Sequence, residues 1–534
     1  MSRASRIPLG RETLVMSAGT LASRLTGVGR LAALAYALGF TRLTDAYNLA
    51  NTTPNIVFDL VLGGVLAATL IPVFVDRVAT RTEGEAWEAI SAVVSLVTVL
   101  LVALVVVFEV AAPAVVDIYM VGVHTPQAPA ERHAAIELLR MFAPQVALYG
   151  WIVLTTAVLN TRRRFAAPMW APIVNNVVVI VVLLFVHHLM GGMSVLDVDR
   201  HPLAFWLLGV GTTVGVLGQL LAQLPSLFRA VRGAPLRLVW DPGHEIVRHM
   251  LRLSGWTAGF VATNQAALWI VLVLANRRSG DLSAFNTAYA LFQFPYGIVA
   301  VSIMSAMQPE LAEAWARRRP AEFRDRVSAG VRAMTAIIVP ATVGYVLLAR
   351  PAVALILRHG ATNAANAHTV ATVTALLAVG LPGFSAYQLL IRSYQAMQNT
   401  RTPFYLYALE NGLNVVLAFA LYPSLGVQGL ALSVSAAYTG AAVVALLDLR
   451  ERLGRLGGSV LLAHVGRVAP PTVVMGLVVA LVGALFTGQT TTTLLVRVVL
   501  AVAAGGGAYF LTAGMMAAWS GGHDTRNHQR RARV

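Results

Sequence analysis

Apolar runs of about 20 residues or more, each long enough to cross hydrocarbon as a helix, recur along the whole 534-residue chain. They predict about fourteen helices, over 13–40, 45–76, 88–113, 132–160, 168–190, 203–229, 247–276, 283–315, 325–350, 366–398, 402–422, 426–450, 464–487 and 493–519. The separators are turn or charge clusters, such as Thr80 to Glu85, Gly191 to Pro202, Arg277 to Asp281 and Arg452 to Gly458. None is long enough to house a soluble domain. The pattern therefore predicts an all-α polytopic membrane protein.

Composition strengthens this picture, since 57% of residues are hydrophobic, only 12% are charged, and mean hydropathy is +0.70. The absence of cysteine excludes disulfides, thiolate metal sites and cysteine nucleophiles. All 40 basic residues are arginine, which together with the abundant Ala, Val and Gly reflects a GC-rich genome before any mechanism. A net charge of +16 invites a nucleic-acid reading. The arginines, however, sit in short stretches between apolar segments, so no nucleic-acid partner is expected.

One alternating set of loops carries Arg77 and Arg81, Arg162 to Arg164, Arg229 and Arg232, Arg317 to Arg319, Arg401, and Arg450 to Arg455. The other carries Arg42, Arg132, Arg200, Arg277 and Arg358, partly balanced by Asp45, Asp117, Glu131, Asp197, Asp199 and Asp281. The positive-inside rule makes the first set cytoplasmic, with both termini beside it. The N-terminal arginines lead into an apolar stretch without a convincing cleavage site, so a retained first helix is expected. Residues 520–534 form a basic tail suited to anionic membrane lipids.

A repeat is visible. Asn160-Thr161-Arg162, followed by Asn175, is echoed by Asn399-Thr400-Arg401, followed by Asn414, at a shift of 239 residues. Tyr47-Asn48 and Phe285-Asn286, and Ser17 to Thr20 and Ser254 to Thr257, recur at almost the same shift. The pattern predicts two six-helix lobes, residues 1–229 and 230–450, related by a pseudo-twofold axis along the membrane normal around a central cavity. Two helices over 451–519 are additional.

Several charges stand inside apolar segments: Arg24, Arg30, Asp59, Arg392 and Glu410. At a helix centre each costs about 2.5–3.5 kcal/mol on insertion scales unless paired or hydrated, which points to a polar cavity. Arg24 and Arg30 are the leading candidates for anion binding, with a pair to Asp45 or Asp59 as the competing role. Their spacing of six does not share one face of a straight helix, but Gly27 and Gly29 lie between them and allow a bend.

These residues resemble the MurJ/MviN lipid II flippases of the multidrug/oligosaccharidyl-lipid/polysaccharide exporter superfamily. Ser23-Arg24-Leu25 through Gly27 to Arg30 resembles the family's first-helix motif, and Thr44-Asp45-Ala46-Tyr47 with Pro54-Asn55 and Pro72 its second helix. Leu159-Asn160-Thr161 with Arg164-Phe165, Pro168, Ala171-Pro172 and Asn176, and Tyr394 to Pro403, are similar to two further signatures. The resemblance spans about residues 12 to 519. It implies a transporter rather than an enzyme, located in the bacterial cytoplasmic (inner) membrane. Its expected substrate is lipid II, an undecaprenyl diphosphate carrying the peptidoglycan disaccharide-pentapeptide, moved to the outer leaflet by alternating access. It also implies a groove at 451–519 for the polyprenyl tail.

Guanidinium suits a diphosphate because it offers planar, multidentate donors without losing charge. By the same resemblance Ser23, Asp45, Asn55, Ser283 and Gln293 fall at polar positions suited to the headgroup. The chain departs from many members at Phe58-Asp59 and Tyr289-Ala290, where an arginine is usual nearby, leaving Asp59 in the expected cavity and Arg392 as a substitute cation.

Glu410 and Asn414 lie one turn apart, with Asn264 as a possible partner, which makes them a candidate Na+ site or proton exchanger; interhelical hydrogen bonding is the competing role. No Walker-type loop is present and no cofactor is expected beyond Na+ or H+ as coupling ion. Two other classes fit less well. A flippase for another lipid-linked glycan or a cation-coupled drug exporter shares the architecture. A membrane glycosyltransferase would need catalytic carboxylates on a sizeable outer loop, and Asp117, Asp197 and Asp199 sit in short ones.

Overall fold

A computed structural model describes residues 9–60, 83–162, 164–231, 239, 255–454 and 458–531. Among these residues the chain is helical and has no strand. Ten helices are long and apolar enough to cross a membrane, or eleven if one bent pair forms a single span. Predicted segments 13–40, 45–76 and 247–276 are not in that set; the second beyond residue 60 and the seventh before residue 255 lie outside the described residues. Large apolar side chains such as Val110, Leu203, Phe510 and Leu511 are exposed, as expected where lipid is the solvent.

The described residues form two compact units, 1–283 with 359–363, and 284–358 with 364–534. The first contains α1 (Leu9–Leu38), α2 (Arg42–Phe58), α3 (Glu83–Tyr119), α4 (Ala128–Phe142), α5 (Pro144–Thr161), α6 (Ala166–Met190), α7 (Pro202–Ala230) and α8 (Gly255–Ala275). The predicted segment 132–160 corresponds to one candidate span, Ala128–Thr161, made of α4 and α5 and interrupted where Pro144 lacks the N–H that a continuous helix would use. α1 runs unbroken past Arg24 and Arg30. Gly27 and Gly29 turn toward α6, where added Cβ atoms would lie 3.8 Å from Asn176 Nδ2 and 3.4 Å from Ile180 Cδ1. The glycines therefore serve close helix packing.

The α1–α2 corner holds two returning loops of the same unit. Gly39, at φ +65°, lies so close to Ala361 that a Cβ would come within 2.7 Å of its carbonyl oxygen; Gly280, at φ +81°, approaches the Phe40 carbonyl to 2.8 Å. Only glycine accepts both the left-handed backbone and these approaches. Ala361 N–H donates to Tyr36 O at 2.9 Å and Thr362 Oγ1 to Ala35 O at 2.7 Å. Arg42, Asp45 and Glu131 read in the sequence as loop charges, but each is buried here. Arg42 donates to the carbonyls of Asn276 at 2.7 Å and Arg277 at 3.2 Å, with Glu131 Oε2 3.3 Å from its Nη1.

The second unit contains α9 (Asp281–Pro295, entering it at Ala284), α10 (Val301–Ala316), α11 (Pro320–Leu357), α12 (Ala364–Val379), α13 (Leu381–Ala396), α14 (Arg401–Leu425), α15 (Val427–Leu453), α16 (Gly458–Leu485) and α17 (Thr491–Arg531). A π turn at Tyr296–Ala300 follows Pro295 and joins α9 to α10. α12 and α13 are bent by 47° near Gly380, ahead of Pro382. Tyr387, Tyr394, Phe323 and Leu449 anchor a core among α10, α11, α13, α14 and α15, while α16 and α17 pack on α11.

The repeat has a local counterpart in each unit. Asn175 on α6 donates to Gln219 on α7 at 3.3 Å, and Asn414 on α14 accepts from Ser433 on α15 at 2.9 Å. Each asparagine joins its helix to the following one.

Candidate functional site

In the first unit, polar side chains of α1, α2 and α5 converge around Arg30. Its Nη2 donates to Asn51 Oδ1 at 3.4 Å, and Asn55 Nδ2 donates to Asn51 O at 3.0 Å. The Tyr149 hydroxyl, on α5, lies near Arg30 and Asn55. Arg30 and Asn55 are half-buried, whereas Arg24 is exposed. Among the described residues neither arginine pairs with a carboxylate, so both retain donors for an external anion. Asn176 on α6 braces the same stretch of α1, donating to Ser23 O at 3.2 Å and Thr26 Oγ1 at 3.0 Å. Ser23 thus contributes its backbone carbonyl to packing.

The other predicted residues of this unit lie elsewhere. Asp59, half-buried at the end of α2, accepts from Gln265 Nε2 at 2.8 Å and forms no ion pair with either arginine. Asp45 and Ser283 are fully buried and spent on each other: Asp45 accepts from Ser283 Oγ at 2.7 Å, Ser283 N at 3.0 Å and Gly280 N at 2.6 Å. In this structure they fasten the 276–283 loop, with Asn48 Nδ2 donating to Ser283 Oγ at 3.0 Å. Asn264 is half-buried on α8.

In the second unit Arg392 is exposed on α13 and donates to Gln308 Oε1 at 3.3 Å. It lies within electrostatic range of Tyr296 and Tyr407. Tyr289, at the family's usual arginine region, belongs to an aromatic cluster with Phe285 and Phe292 instead, with Gln293 nearby. Glu410 is 2% exposed. Of the sequence-predicted ion set, Asn414 Oδ1 accepts from Ser433 Oγ at 2.9 Å. Among the described residues there is also no group of three or more His, Cys, Asp or Glu side chains suited to a metal.

Sequence reasoning missed Asn51 and Tyr149. Asn51 stands one turn before Asn55 and was available from spacing alone, whereas Tyr149 comes from another helix and had no signal. It also missed the form of the apolar cavity of about 670 Å³ in the second unit. Leu291 of α9, Ala341 and Gly344 of α11, Met475 of α16, and Val502 and Gly506 of α17 line it.

The comparisons with known proteins agree with this architecture. A lipid II flippase MurJ from Burkholderia cenocepacia is 27% identical over 453 residues, covering 83% of this chain and 84% of the relative. A probable lipid II flippase MurJ from Thermotoga maritima is 25% identical over 483 residues, covering 90% and 92%. Among solved structures, a lipid II flippase MurJ in an inward closed conformation superposes with a TM-score of 0.74 at 18% identity, covering 94% of this chain and 98% of that one. An inward-facing multidrug resistance MATE family transporter of the MOP superfamily gives a TM-score of 0.66 at 16% identity, covering 81% and 95%. The family model described as lipid II flippase MurJ matches residues 34–501, and the chain belongs to that family.

Proposed function

We propose that this chain is a lipid flippase that carries undecaprenyl-diphosphate-linked peptidoglycan precursor from the cytoplasmic to the outer leaflet by alternating access. The observation that carries this reading is the family match over residues 34–501. Arg24 and Arg30, which pair with no carboxylate among the described residues, supply the chemistry it needs. Guanidinium donors replace part of the hydration that the diphosphate loses on leaving water, and Asn51, itself bonded by Asn55, holds Arg30 in place. Arg392 offers a further cation in the second unit. The membrane is the bacterial cytoplasmic one, with both termini on the cytoplasmic side, following the arginine-rich loop set.

The apolar cavity of α9, α11, α16 and α17 is the proposed seat of the polyprenyl tail, because it offers almost only hydrocarbon contacts. Tyr345 Oη and Tyr509 Oη each donate to a backbone carbonyl, of Leu291 at 2.9 Å and Ala336 at 2.5 Å, so their polar ends are satisfied within the protein. Gly506 lines this space, and a Cβ there meets nothing within 4 Å. Gly506→Trp should therefore fill the cavity without disturbing helix packing. Transport is expected to fall several-fold at normal membrane abundance, while Gly506→Ala stays near wild type. Equal transport by the Trp variant would remove the tail from this cavity.

The direct test is complementation of a flippase-depleted bacterium, with outer-leaflet lipid II measured by a surface-accessible label. Restored growth with exposed lipid II is the expected result. Normal membrane abundance with neither outcome would redirect the assignment to another lipid-linked glycan.

A further inference from the structure

The face of α17 that lines the apolar cavity continues beyond it to an arginine. Ala501 and Gly505 line the cavity, and Arg497 stands one turn before Ala501 on the same face. On α16, Met475 and Val479 line the cavity, and the next turn of that face is Gly483. A Cβ at Gly483 would come within 3.1 Å of Arg497 Nη2, so the guanidinium rests on the α16 backbone where a side chain would otherwise stand. Arg497 is half-buried, and its Nε is buried with no hydrogen-bond partner among the described residues.

No carboxylate from the surrounding helices balances this charge. The chain has no Asp or Glu from Val327 to Leu409, which includes most of α11 and all of α12 and α13, and none from Arg452 to His523, which includes α16 and the apolar part of α17. At the end of α11, Arg358 is exposed and donates to Gln489 Oε1 in the α16–α17 connection at 3.1 Å, which adds a second cation to this end of the three helices. An arginine within an apolar span is costly unless it meets an anion or water. By the positive-inside reading, the α16–α17 connection lies on the outer side. Arg497 is about 9 Å along α17 from Thr491, and helical side chains lean toward the helix N-terminus. Its long side chain therefore carries the guanidinium up toward the outer headgroups.

We propose that Arg497 binds the phosphate of an outer-leaflet lipid whose hydrocarbon chain lies in the cavity of α11, α16 and α17. Chain and headgroup then contact adjacent turns of the same two helices, with hydrocarbon on Met475, Val479, Ala501 and Gly505 and phosphate oxygens on the guanidinium. The planar fork meets two phosphate oxygens at once, and Gly483 leaves the room it needs. A glycerophospholipid and a polyprenyl phosphate present the same group. For the chain the inference rests on the tail assignment above; the phosphate contact stands on Arg497 itself.

Native mass spectrometry of the full-length protein reads the site, with dioleoylphosphatidylglycerol, undecaprenyl phosphate and the phosphate-free dioleoylglycerol titrated in turn. Wild type should hold both phosphate lipids more tightly than dioleoylglycerol. Arg497→Gln should weaken both by about ten-fold, the scale of one charge-assisted contact, and leave dioleoylglycerol unchanged. Arg497→Lys should fall between the two, and it carries the test if the Gln variant folds poorly. Tighter binding of undecaprenyl phosphate would uphold the site as one for the transported lipid, and tighter binding of phosphatidylglycerol would uphold it as one for the surrounding membrane.

Gly506→Trp separates this inference from the tail assignment. Loss of phosphate-lipid binding in Arg497→Gln with normal binding in Gly506→Trp would uphold the phosphate contact and take the chain out of the cavity. Loss in Gly506→Trp with no change in Arg497→Gln, or equal affinity of wild type for dioleoylglycerol and the phosphate lipids, would overturn the inference.

Discussion

Arg42→Ala and Glu131→Ala should each destabilise the protein by about 3–5 kcal/mol, the loss expected when one member of a buried ion pair is removed and the other charge is stranded. The two side chains are 3% and 0% exposed and 3.3 Å apart. Arg42 also ties α2 to the loop after α8 through the Asn276 and Arg277 carbonyls. Thermal unfolding of the purified protein, followed by size-exclusion fluorescence, reads the effect. The Arg42→Met/Glu131→Leu double variant should lose clearly less than the sum of the two alanine variants, since it leaves no uncompensated charge. Losses that simply add would mean that the two side chains do not act as a pair.

Arg24→Ala/Arg30→Ala should abolish lipid II transport at normal membrane abundance. The expectation follows from their lack of carboxylate partners: removing them breaks no ion pair among the described residues, so the fold has little to lose. Arg30→Lys should keep part of the activity, because lysine retains charge but not the planar fork that meets phosphate oxygens in two places. Asp59→Asn is the companion variant. Asp59 accepts from Gln265 rather than from an arginine, so transport should persist or improve when its negative charge is removed. A loss as deep as that of the arginine variants would instead mean that Asp59 orients them in another state of the transport cycle. Full activity of the double alanine variant would refute the diphosphate site.

These two experiments separate roles that look alike in one dimension. Arg30, Arg42 and Asp45 are all charged residues in or beside apolar segments. One sits in a polar cluster with unused donors among the described residues, and the other two are buried and bound by backbone groups from a loop more than 200 positions away. Asp45 resembled a cavity residue by its motif, yet its acceptors are taken by Gly280 and Ser283.

The sequence by itself determined the membrane character, the helical class and the family resemblance. Hydrocarbon admits only segments that satisfy their own backbone hydrogen bonds, so an apolar stretch of sufficient length has little choice but helix. It also marked the helix junctions around Asn160 and Asn399, and singled out Arg24, Arg30 and Glu410, because each charge in an apolar run needs a reason. Tertiary structure alone decided which of those charges find partners. Solvation of a side chain depends on atoms brought to it by other helices, and neither burial nor pairing across more than 200 residues is encoded in local spacing. That is why Asp45 became a loop fastener, Arg30 kept free donors, and Glu410 was left without a counter-charge among the described residues.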